Sequence, residues 1–165
     1  MHRRKGRKGN ALIEFTLVAI PLIYIQISTV EICRGMWDYH SLAQAVKAAS
    51  RAAATRGAGC ASAACAMTVG QIATTISGYA VGMPASALNV TLTSNAGNVN
   101  CNPLSTCTAS NTVWPPAGGN TAGSDIIISA SYNFTSMLTM FVPGAGGMQF
   151  SGVTFTAKSR QMLLY

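Results

Sequence analysis

The feature that most constrains this chain is an apolar run from Ala11 to Ile32, set directly behind a basic head. Arg3, Arg4, Lys5, Arg7 and Lys8 put five positive charges into the first eight residues. The run exceeds the roughly 20 apolar residues that a helix needs to cross a bilayer. Cationic flanks stay on the cytoplasmic side, which puts the N-terminus inside and the rest of the chain outside. The run carries one acid, Glu14, near its start. A carboxylate at mid-bilayer costs on the order of 3 kcal/mol, and such groups usually have a partner and a task. Glu14 lies near the cytoplasmic edge, where the cost is smaller. A secretory signal peptide fits poorly, because its apolar core runs about 7–15 residues and ends in a small-residue cleavage site. A plain membrane anchor fits the length but gives no reason for the acid.

The stretch Lys8-Gly9-Asn10-Ala11-Leu12-Ile13-Glu14-Phe15 resembles the class III signal of type IV pilin-like proteins. In that class a prepilin peptidase cuts after the glycine, and an acid stands at the fifth mature position. The fuller pattern of basic head, Gly-Asn-Ala-Leu-Ile-Glu-Phe and an alanine-rich continuation looks most like the TadE-like pseudopilins of tight-adherence (Flp) pilus systems. The resemblance covers about the first 50 residues. It implies cleavage between Gly9 and Asn10, with Arg3, Arg4, Lys5, Arg7 and Lys8 serving peptidase recognition and topology. It implies a subunit-docking role for Glu14, with the new amino group of Asn10 on a neighbouring subunit as its partner. The other implied partners are pilin or pseudopilin subunits, the inner-membrane assembly platform and membrane lipid. The implied location is the bacterial inner membrane, crossed once, with a periplasmic head that can enter the extracellular pilus. The long cysteine-bearing loop described below is not part of the family pattern. The alternative is a membrane-anchored periplasmic binding module that is neither cleaved nor assembled.

The net charge of +7 sits mostly in the head. Without the first nine residues the balance is six Lys/Arg against four Asp/Glu, or +2. Beside an apolar span a basic head reads as topology and lipid contact, and no motif supports nucleic-acid binding. Charged residues make up 9% of the chain, against about 25% in ordinary soluble domains. A polar but uncharged surface of this kind suits an extracytoplasmic protein.

Of the five cysteines, Cys33 follows the span, and the others form local pairs, Cys60/Cys65 and Cys101/Cys107. A periplasmic body permits disulfides. Five choices of the free cysteine times three pairings leave fifteen arrangements, which sequence does not resolve. Local pairing favours Cys60–Cys65 and Cys101–Cys107 with Cys33 unpaired. The two histidines, His2 and His40, match no zinc spacing, and neither metal nor cofactor is expected.

The expected architecture is α+β. A long N-terminal transmembrane helix continues as a periplasmic helix and packs on a small, mainly antiparallel β-sheet head. Residues 1–9 are the leader, 10–32 the span, 33–57 the extension and 58–165 the head. Asn10 to Thr55 reads as one helix of about 69 Å, with Pro21 its obvious weak point and Ser41 a possible restart. Glu31, Arg34, Trp37, Asp38 and Tyr39 form an interfacial group, since Trp and Tyr favour the headgroup level. Leu42, Ala45, Val46, Ala49, Ala52 and Ala53 make an apolar face opposite Gln44, Lys47 and Arg51. Gly57 and Gly59 then end the helix.

Met67 to Tyr79 has the apolar spacing of a second helix, stopped by Gly82 and Pro84. Leu88, Val90 and Leu92 alternate with polar residues as in a half-buried strand. Asn95 to Ser124 has no period and reads as a long loop, with Trp114-Pro115-Pro116 an exposed aromatic on a stiff segment. Asp125 to Phe134 alternates most clearly, with Ile126, Ile128, Ala130, Tyr132 and Phe134 on one face. After a turn-rich connector over 142–147, Phe150 to Ala157 reads as a third strand with a bulge at Ser151-Gly152. Gln161 to Tyr165 is either a last short strand or a contact segment.

Beyond His40 the chain holds one acid, Asp125, and no histidine. Its many serines and threonines lack a base to activate them, and the body has no carboxylate pair for acid–base work. The turn at Gly144-Ala145-Gly146-Gly147 lacks the lysine of a phosphate loop. The body is therefore read as non-enzymatic.

Overall fold

A computed structural model of the chain describes residues 8–56, 66–136 and 152–163. Helix α1 spans Lys8–Thr55 and runs through Pro21. Proline has no N–H, so the Leu17 carbonyl loses its intrahelical donor there. The helix continues on both sides, and Ser41 is a buried residue inside it rather than a restart. Leu42, Ala45, Val46, Ala49 and Ala53 are buried, while Gln44, Lys47 and Arg51 face outward, as their spacing predicts. Gly57 and Gly59 lie outside the described residues.

Helix α2, Val69–Tyr79, starts two residues later than its apolar spacing implies. Thr68 fixes the start through a capping box. The Gln71 N–H donates to Thr68 Oγ1 at 3.2 Å, and the Thr68 N–H donates to Gln71 Oε1 at 3.1 Å. Both bonds satisfy donors that a helix start otherwise leaves open. Val69, Ile72, Ala73 and Ile76 turn inward, and α2 lies along α1.

Four antiparallel strands, β1 (Leu88–Ser94), β2 (Gly97–Cys101), β3 (Asp125–Phe134) and β4 (Val153–Met162), form one sheet in the order β2-β1-β3-β4. Strands β1 and β3 alternate buried and half-buried positions, and the second half of α1 packs across β3 and β4. Leu88, Leu92, Ile126 and Ile128 meet Leu42, Val46, Ile72 and Ile76 in one core. Burial of each such side chain contributes about 1.5–3 kcal/mol.

Over Asn95–Ser124 the structure differs from the aperiodic loop that the sequence implies. Strand β2 returns along β1 after Asn95-Ala96, with Ser94 opposite Gly97. Gly97 has φ +138°, a conformation open to glycine alone at little cost. Cys101 and Cys107 are joined by a disulfide, and Leu104 between them is buried. The following segment then docks on the start of α2. The Val69 N–H donates to Thr112 O at 2.8 Å, the Gly70 N–H to Ser110 O at 2.9 Å, and the Trp114 N–H to Met67 O at 2.9 Å. Trp114 is therefore not an exposed surface aromatic. It is 1% exposed and among the largest core side chains.

Strand β4 also extends further than its apolar pattern indicates, from Val153 to Met162, and pairs with β3 along its whole length. Gly152 has φ +119°; Phe150 and Ser151, where the strand and bulge were expected to begin, lie outside the described residues. Of the expected inward positions, Ala157 is buried, Phe155 half-buried and Val153 exposed. The apolar end supplies Leu163 to the core, held by its N–H to Ser124 O at 2.9 Å.

Candidate membrane span and docking segment

Among the described residues nothing packs on the first half of α1. Leu12, Ile13, Phe15, Leu17, Ile20, Ile23, Ile25 and Val30 are all exposed, Phe15 by 74%. Its most apolar 18-residue window has a mean hydropathy of 1.8 and no buried residues. A soluble domain does not leave such a continuous apolar surface in water. Ala11 to Ile32 at 1.5 Å per residue covers about 33 Å, close to the hydrocarbon thickness of about 30 Å.

The polar residues in this segment are compatible with lipid. Thr16 Oγ1 donates to Leu12 O at 2.6 Å, Ser28 Oγ to Tyr24 O at 2.9 Å, and Thr29 Oγ1 to Ile25 O at 2.8 Å. Each hydroxyl is satisfied within its own helix, as the absence of water in a bilayer demands. Glu14 is exposed and has no ion-pair or hydrogen-bond partner among the described side chains. Gly9 and Asn10 stand in the first turn of α1. Lys8 begins the helix; Arg3, Arg4, Lys5 and Arg7 lie outside the described residues.

Just past the span, the expected interfacial group turns toward the sheet on one side. The Arg34 Nη1 lies 4.0 Å from Glu31 Oε1, one helical turn back. The Arg34 guanidinium also sits 5.3 Å from the centre of the Phe134 ring, a favourable cation–π distance. Phe155 packs on Phe134 at 5.5 Å and edge-on to Tyr39 at 6.1 Å between ring centres. Asp38 is buried at this junction. Loss of water raises its carboxyl pKa above the ordinary value, and Arg34 opposes the rise. Trp37 and Tyr39 remain 63% and 45% exposed, available to an interface. Sequence reasoning found the helical members of this group but not Phe134 and Phe155, because strand pattern does not tell where a strand meets a helix.

Cys33 is a free, exposed thiol. The Cys101–Cys107 bridge agrees with the local pairing, and Cys60 and Cys65 lie outside the described residues. Among the described residues no three His, Cys, Asp or Glu side chains gather as metal ligands do.

Helix and sheet together define a protein with one candidate membrane-spanning helix and a small α+β head built on the far half of that helix. Residues 9–51 match the family model described as TadE-like protein, so the N-terminal segment is similar to that family. The match starts at the glycine before the apolar run and ends at Arg51, within the half of α1 that packs against the sheet. No curated protein and no solved structure matches the chain.

Proposed function

We propose that this chain is a non-enzymatic assembly component of a tight-adherence (Flp) pilus, a TadE-like minor pilin or pseudopilin. A prepilin peptidase cuts it after Gly9. The mature chain is held in the bacterial inner membrane by Ala11 to Ile32, with its head in the periplasm, and joins or supports the pilus through other pilin-like subunits and the assembly platform. The observation that carries this reading is the TadE-like match over 9–51. It begins at Gly9, the proposed cleavage site, and takes in the exposed first half of α1 with its acid Glu14, which has no partner among the described residues. An acid in that position favours an incoming amine from a neighbouring subunit, because an unpaired carboxylate is costly near hydrocarbon.

The test is the mass of the membrane-extracted chain from cells with an active prepilin peptidase. The expected mature N-terminus is Asn10, and Gly9→Leu is expected to leave the leader attached. A wild-type chain that keeps Met1 in such cells overturns the reading and favours an uncleaved anchor.

A further inference from the structure

An apolar groove opens where the span ends. It lies between the Glu31–His40 turns of α1 and the ends of β3 and β4, with Ile32, Gly35, Met36, Phe134, Val153 and Phe155 among its lining, and has a volume of about 420 Å³. That size is typical of sites for small organic ligands. Its walls are almost wholly apolar, and among the described residues nothing closes its mouth.

We propose that this groove is sunk into the outer interface of the bilayer and takes an acyl chain of a membrane phospholipid. The inference rests on the reading of Ala11 to Ile32 as a membrane span. Continuity is the first argument. Ile32 closes the span and also lines the groove. The headgroup layer adds about 5–7 Å beyond the hydrocarbon on each side. Gly35 and Met36, about 4–6 Å past Ile32 along the axis, therefore stand within it. Phe155 and Phe134 sit against Gly35, the former 3.4 Å from where a Cβ would be, so this end of the sheet is held at the same depth.

The second argument is the exposed rim. Ile32 is 60% exposed, Met36 57% and Val153 44%, and Trp37 and Tyr39 add the amphipathic rings that favour headgroup level. The third is charge. Arg34, next in sequence to the groove residue Gly35, holds the groove-lining Glu31 at 4.0 Å and has a side chain 35% exposed, and the exposed side of its guanidinium is open to a lipid phosphate. The head thus meets the membrane with a sheet end as well as a helix, which fixes its orientation on the span.

The full chain is reconstituted in phosphatidylcholine–phosphatidylglycerol vesicles whose acyl chains are brominated near the headgroup, and tryptophan quenching is read. Three proteins are compared: wild type, Trp37→Phe/Val153→Trp, and Trp37→Phe/Met162→Trp. Met162 ends β4 about 30 Å from Val153, and buried Trp114 gives a common background. Quenching is expected in wild type, and in the Val153→Trp protein at least about two-fold above the Met162→Trp control, as interfacial tryptophans should show. Quenched wild type with a Val153→Trp protein no different from the control overturns the groove while leaving the span. Unquenched wild type overturns both. Val153→Trp fluorescence that shifts blue as protein is concentrated, without bromolipid quenching, means that a second copy fills the groove and also overturns the proposal. A diazirine-tagged phospholipid applied to the wild-type chain covers the case of a variant that does not fold. Crosslinks are expected on peptides containing Phe155, and crosslinks confined to the span refute the groove.

Discussion

Ser50 on α1 and Ser159 on β4 share a hydrogen bond of 2.8 Å between side chains 109 residues apart in sequence. Ser50 is fully buried, and its oxygen also lies 3.0 Å from Lys47 O. With the Ser50 proton on that carbonyl, Ser159 is the donor across the interface. The bond ties the helix to an edge strand whose inward positions there are polar. A double-mutant cycle with Ser50→Ala and Ser159→Ala should show a coupling of about 1 kcal/mol, the usual net worth of such a bond. Thermal unfolding of the detergent-solubilised chain checks it, and additive losses would show that the two hydroxyls do not act together.

Gly70 has no space for a side chain. A Cβ there would stand 2.7 Å from the backbone oxygens of both Ser110 and Thr108. Neither is a flexible group, so Gly70→Ala must push the docked segment away from the start of α2. The expected cost is about 1–3 kcal/mol, the range for overpacking. Hydrogen exchange should show faster exchange at Trp114 N–H and neighbouring amides. Unchanged protection over 108–114 would contradict the docking.

Two acids beyond the apolar run should act on stability in opposite directions. The hydrogen bond from Arg160 holds the Asp125 carboxyl below the ordinary carboxylate value, and the charge of Arg160 adds to the effect. That contribution is present above the unfolded value of about 3.9 and is lost as pH falls through the lower folded value. Asp125→Asn should therefore be less stable than wild type at neutral pH, with the gap closing below about pH 4. Burial raises Asp38 instead. Its contribution is present below the unfolded value and is lost as pH rises through the folded one, so Asp38→Asn should gain on wild type as pH rises to neutral. Melting temperatures of the three proteins from acid to neutral pH check both signs.

Glu14 can be tested apart from cleavage. Glu14→Ala should insert and be processed normally but fail to enter or support pili. Glu14→Gln should be partly defective, since it keeps hydrogen bonding without charge. Counting pili and measuring surface attachment in complemented cells reads the effect. Wild-type piliation in Glu14→Ala would remove the docking role and leave an anchor.

The sequence by itself determined those parts whose causes are local or periodic. The apolar run, its basic flank and Glu14 are set by neighbours within a few turns, so α1 and the likeness of residues 9–51 to the TadE-like model are legible directly. The inward faces of α2, β1 and β3 follow from spacing alone, because one buried face imposes a period of 3.6 or 2. Tertiary structure decided the rest. Gly97–Cys101 has little apolar alternation, and its strand character comes from pairing with β1. The second half of β4 faces a small-residue helix, so Ser159 and Gln161 occupy half-buried inward positions that apolar alternation does not mark. Trp114 is buried because the N–H groups at the start of α2 require carbonyls, and the segment that provides them brings the indole with it. The apolar groove beside Gly35 arises the same way: Gly35 and Phe155 are 120 positions apart, and only the closing of the sheet on the helix gives them a common surface.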